Sequence, residues 1–124
     1  MSVIVLVFED NLMWSARLKQ SLVALGHTAL VISRLPAEIP TADVAILNLG
    51  STSLDAQTLV PLLKAKSIVT IGHAGHKEKE RQLYGKESGC DFLTTNSEIT
   101  FKLAELLLRI DRTNQAPASS DQMA

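Results

Sequence analysis

The sequence predicts one α/β domain, a doubly wound parallel sheet of five strands with helices on both faces. Three observations carry this reading. Short apolar runs of strand length alternate with stretches of helical periodicity, the pattern of repeated strand-helix units. The runs are continuous and lack polar alternation, as strands covered on both faces do. The 124 residues are enough for one core and too few for two.

The elements follow in order. Val3 to Phe8 is a Val-rich apolar run bounded by Glu9 and Asp10, which reads as the first strand. Trp14, Leu18, Leu22 and Leu25 fall at helical spacing and Gly26 follows, predicting a helix from about Leu12 to Leu25. Thr28 to Ser33, Asp43 to Asn48 and Ser67 to Gly72 give three more strands, and Asp91 to Thr95 a shorter fifth. Helices are expected near Leu54 to Lys66 and Lys77 to Ser88, with Pro61 and Gly85 as weak points inside them. A last helix is expected over Ser97 to Ile110, with Ser97 as its N-cap. Between Ser33 and Asp43, Pro36 and Pro40 leave room for at most one or two helical turns, so the second helix should be shortened or absent. The domain is taken as residues 1–112, and the small, polar, aperiodic stretch 113–124 as a flexible tail.

Composition narrows the function classes. The chain is 46% hydrophobic and 20% charged, with 12 basic and 13 acidic residues unsegregated, which argues against a nucleic-acid surface. No run reaches the roughly 18 apolar residues of a membrane helix, and the N-terminus lacks a signal-peptide pattern. With a single cysteine, Cys90, no internal disulfide can form, and a cytoplasmic location is expected.

In parallel α/β sheets the site lies outside the carboxyl ends of the strands. Here those ends read Glu9-Asp10-Asn11, Asn48-Leu49, Gly72-His73 and Thr94-Thr95-Asn96. Over about Val3 to Ile110, the order and spacing of these segments resemble the receiver domain of two-component response regulators, a flavodoxin-like (CheY-like) fold. The resemblance implies an acidic pair holding Mg²⁺, an Asp ending strand three that accepts a phosphoryl group, a Thr or Ser ending strand four, and a Lys after strand five. Glu9 and Asp10 match the pair and Phe92 matches the aromatic switch position, while Asn48, Gly72 and Thr95 stand where the acceptor, the hydroxyl and the Lys should be.

The chemistry of those replacements stands without the family. An amide has no nucleophilic oxygen comparable to a carboxylate's, so Asn48 should form no acyl phosphate. Its neutrality also removes a hard ligand from any Mg²⁺ site. Thr95 offers no cation and Gly72 no hydroxyl to a phosphoryl group. The expectation is therefore a non-enzymatic pseudo-receiver with no cofactor and no resident metal, working by protein contact. The alternative is a small-molecule sensor whose pocket is built from Glu9, Asp10, Asn48, Gly72 and Thr95.

Other arrangements point elsewhere. Glu9 and Asp10 are also what a solvated turn before a helix dipole would carry. His73, His76 and Cys90 lack paired metal-ligand spacing, Cys90 reads as a buried structural thiol, and Ser51-Thr52-Ser53 has no Gly-rich cradle for phosphate. In the last helix, Leu103, Leu106, Leu107 and Ile110 make a sufficient core stripe. Phe101 and Leu108 fall outside it and either cover a sheet edge or the tail, or form a partner or dimer surface with Leu83 and Tyr84, rimmed by Lys102, Glu105 and Arg109.

Overall fold

The structure is a computed structural model and describes residues 2–110. The expected tail therefore lies outside the described residues. Five strands, β1 (Ile4–Phe8), β2 (Thr28–Ile32), β3 (Val44–Asn48), β4 (Val69–Ala74) and β5 (Phe92–Thr95), form one sheet in the order β2-β1-β3-β4-β5, and every neighbouring pair is parallel. The helices are α1 (Leu12–Ala24), α2 (Ala56–Ala65), α3 (Lys79–Ser88) and α4 (Asn96–Phe101), followed by a helical segment over 103–110.

Alternate residues of each strand feed two cores. Val5, Val7, Val44, Ile46 and Ile71 pack with Leu18 and Leu22 of α1 and with Leu103, Leu106, Leu107 and Ile110 of the terminal segment. Leu6, Phe8, Ala45 and Leu47 pack on the opposite face with Leu59, Val60 and Leu63 of α2, and with Tyr84 of α3. This double coverage is why the strands read as continuous apolar runs.

Local chemistry sets the ends of the helices. Asn11 caps α1, its Oδ1 accepting the Met13 and Trp14 N–H groups at 3.0 and 3.1 Å, and Gly26 ends it at φ +89°. Pro61 is tolerated inside α2 because it and Gln57, whose carbonyl loses its helical donor, both face solvent. Gly85 is a close-approach residue: a Cβ there would lie 2.6 Å from Leu49 and 2.7 Å from Leu93 side-chain atoms. No helix forms in 33–43; instead Ile39 plugs the α2 face and its carbonyl accepts from Lys66 Nζ at 2.7 Å.

The single last helix expected from Ser97 is two pieces. Thr95, not Ser97, is the N-cap, and a reciprocal capping box with Glu98 starts α4 at Asn96. The helix then breaks at Lys102. Ile99, Thr100 and Phe101 are weak helix formers, and Thr100 Oγ1 bonds back to the Asn96 carbonyl at 2.8 Å, a contact that bends helices.

Candidate functional site

Parallel register carries one polar row across the carboxyl ends of the strands. Phe8 is level with Leu47, which places Glu9 beside Asn48; Asn48 is level with His73, and His73 with Thr94. All four continue the strand faces of Val7, Ile46, Ile71 and Phe92, under α1 and the terminal segment. Glu9, His73 and Thr94 are buried and Asn48 is half-buried.

The β1–β3 half of the row is satisfied internally. Asn48 Nδ2 donates to both carboxylate oxygens of Glu9 at 3.0 Å, and the Gly50 N–H donates to Asn48 Oδ1 at 2.9 Å. The second contact fixes the amide's orientation, since only the oxygen can accept from a backbone N–H. The Asn11 N–H adds a longer bond to Glu9 at 3.3 Å. Above the row, exposed Asp10 accepts the hydroxyls of Ser51 and Ser53 at 2.7 Å each, and these bonds hold its pKa below the ordinary carboxylate value.

The β4–β5 half is different. His73 Nδ1 lies 2.7 Å from Asn96 Oδ1, which makes Nδ1–H the donor and leaves Nε2 as a lone pair. Among the described residues neither His73 Nε2 nor Thr94 Oγ1 has a hydrogen-bond partner. Trp14 of α1 covers the imidazole, ring centroids 6.1 Å apart, and burial pushes the His73 pKa down.

The structure redistributes several expected positions. β4 runs to Ala74, two residues past Gly72, so the side chain beside Asn48 is that of His73. Gly72 faces the α2 side, where a Cβ would lie 3.0 Å from Cys90 Sγ and 3.1 Å from Leu49. Thr95 is occupied as the α4 cap, so the five residues of the expected pocket do not converge; Glu9, Asp10 and Asn48 do. Phe92 is half-buried against the α1-side core. Cys90 is half-buried, and burial pushes its thiol up to about 11. Among the described residues no three His, Cys, Asp or Glu side chains group as metal ligands.

Arg81 was not foreseen. It reaches from α3 over the β3–α2 loop, where a Cβ on Gly50 would lie 2.6 Å from its Nη1, and it pairs with Glu78. A cation therefore does stand near Asn48, supplied by a helix instead of the end of β5. Nothing in a lone surface Arg singles it out in sequence, whereas Thr95-Asn-Ser-Glu98 is a readable capping-box signature.

The expected partner surface is only partly assembled. Phe101 is 80% exposed, Leu83 is exposed, and Leu108 is 48% exposed. Tyr84, however, is half-buried in the α2-side core, and its hydroxyl bonds Asp55 and accepts the Gln57 N–H at 3.2 Å. Leu108 borders a cavity of about 220 Å³ with Leu25, His27, Ala104 and Leu107, on the other face of the sheet. These four residues do not form one patch, and Phe101 is the most exposed of them.

No protein family and no curated protein sequence matches the chain. Solved structures do. NtrX from Brucella abortus superposes with a TM-score of 0.78 at 16% identity, over 100% of this chain and 30% of that one, so the chain spans under a third of that protein. The receiver domain of Francisella response regulator 1452 gives 0.68 at 20% identity, over 93% and 98% of the two chains. HP1043, an orphan response regulator of Helicobacter pylori, gives 0.67 at 22% identity, over 86% and 94%. Five parallel strands in this order, flanked by helices on both faces, give the chain the flavodoxin-like fold of response-regulator receiver domains.

Proposed function

We propose that the chain is a pseudo-receiver, a cytoplasmic signalling module that works without phosphorylation by binding a protein partner or a second copy of itself, and that it is not an enzyme. One observation carries this reading: the Asn48 amide bonds both oxygens of Glu9, so the residue at the acceptor position consumes the carboxylate that would otherwise face a cation. The site is closed upon itself. The Asn48 amide offers no carboxylate nucleophile at the acceptor position, Glu9 is buried behind it, and Asp10 is held by two serine hydroxyls. Membrane insertion is not part of the proposal, as no helix among the described residues is long and apolar enough to cross a bilayer.

The contact surface is taken to centre on Phe101, whose ring is the most exposed aromatic group among the described residues. The test is association with a captured partner, measured with and without a small phosphodonor and Mg²⁺. Association should be the same in both conditions and should weaken in Phe101→Ala. Association that strengthens only with the phosphodonor would refute the reading.

A small-ligand role is a second reading, favoured by the unpartnered Nε2 of His73 and Oγ1 of Thr94. A metabolite panel that raises the melting temperature of the wild type but not of Thr94→Val would support it.

A further inference from the structure

β2 is an edge strand left bare by the missing crossover helix. Leu30 is level with Leu6 and points to the same face, yet Leu6 is fully buried while Leu30 is 41% exposed, because 33–43 covers that face only through Ile39. Leu35, just past the strand, is 49% exposed. The strand reads Thr-Ala-Leu-Val-Ile and carries no charge, proline or bulge, the devices that ordinarily blunt an open edge.

Its backbone geometry is self-complementary. The Thr28 N–H donates to the Val3 carbonyl at 3.0 Å and the Ile32 carbonyl accepts from the Glu9 N–H at 3.1 Å. Residues 28, 30 and 32 therefore turn their amides and carbonyls toward β1, and the strand period of two turns those of Ala29 and Val31 outward. Among the described strands none pairs on that side. A two-fold axis beside Leu30 would set Ala29 of one copy against Val31 of the other, twice, forming hydrogen-bonded antiparallel pairs at both positions. The same axis puts Leu30 opposite Leu30 in the closer, non-hydrogen-bonded pair, where apolar side chains contribute most.

We propose that β2 is a homodimer edge, at which two copies of this chain join their sheets antiparallel into one continuous sheet, independently of the Phe101 surface. The occupant is a second copy because one symmetric pairing satisfies both outward backbone pairs and covers both exposed Leu30 side chains. The uncharged strand brings no like charges together in doing so.

Sedimentation of the full chain over a concentration series, with backbone hydrogen exchange at the two extremes, tests this. Dimerisation is expected, with the Ala29 and Val31 amides exchanging fast when dilute and slowly when concentrated, and the Leu30 amide slow throughout. Leu30→Lys sets two like charges opposite each other and should raise the dissociation constant by at least about tenfold. Val31→Pro deletes one outward N–H without touching the β1 ladder and should do the same. A chain that stays monomeric, a dimer whose Ala29 and Val31 amides remain fast, or one that yields to neither Leu30→Lys nor Val31→Pro would each overturn the proposal. The wild-type exchange measurement requires no variant to fold.

Discussion

The polar row across the strand ends buries its groups in two different ways. Between β1 and β3, Glu9 and Asn48 satisfy each other, and the Gly50 amide completes the set. Between β4 and β5, His73 and Thr94 are buried comparably deeply, yet each leaves one polar atom unpartnered among the described residues. The first half shows how a buried carboxylate is held at a strand end without loosening the fold. A carboxylate at position 48 would repel Glu9, whereas the Asn48 amide makes two hydrogen bonds to it and keeps the position polar and packed. The second half stores unsatisfied polarity, which lowers stability and leaves room for improvement.

Breaking the satisfied half should have the largest effect. In Asn48→Asp two carboxylates would face each other where Glu9 is fully buried, and the expected destabilisation is about 2–4 kcal/mol by denaturant unfolding at neutral pH. Added Mg²⁺ should recover part of that loss in the variant and change the wild type little. An Asn48→Asp protein as stable as the wild type would show that the Glu9–Asn48 bonds carry no weight.

The pH response of the other half comes next. Burial holds the His73 pKa below the ordinary imidazole value, so the unfolded chain takes up a proton more readily than the folded one. The contribution of His73 is then fully present above the unfolded value and is lost as pH falls below it toward the folded one. Melting curves should show stability declining as pH is lowered from 7 to 5, and the decline should be smaller in His73→Gln. An identical slope in the variant would remove His73 from the account.

Thr94→Val sharpens the comparison from the opposite direction. It replaces an unpartnered buried hydroxyl with a methyl of the same shape and should stabilise the chain by about 1 kcal/mol. Loss of stability instead would mean that Oγ1 has a partner in solution. The smallest change is expected from Phe101→Ala, within about 0.5 kcal/mol, because that ring is exposed and lies off both cores.

The fold was largely legible because apolar runs and helical stripes report burial directly. Val3 to Phe8 marked β1, and Pro36 and Pro40 marked the missing helix, within a residue or two of the observed bounds. The site was legible only where it is local in sequence. Glu9, Asp10 and Asn48 end strands that their own residues define, and they do cluster. The fourth strand was expected to end at Gly72, whereas here α1 and Trp14 cover His73 and the strand continues to Ala74. Tyr84 was assigned to a free surface because helical periodicity does not reveal that Asp55, 29 residues away, waits for its hydroxyl. Arg81 and the open edge of β2 are products of tertiary arrangement alone, visible only once α3 crosses the β3–α2 loop and the sheet order is known.

The central proposal is that the row accepts no phosphoryl group, and intact-mass spectrometry tests it most directly. The wild-type chain is incubated with a small acyl-phosphate donor and Mg²⁺ and then divided, one half being treated with mild base to cleave any acyl phosphate. The account predicts a single unmodified mass in both halves. A stoichiometric phosphoryl adduct that disappears after base treatment would contradict it.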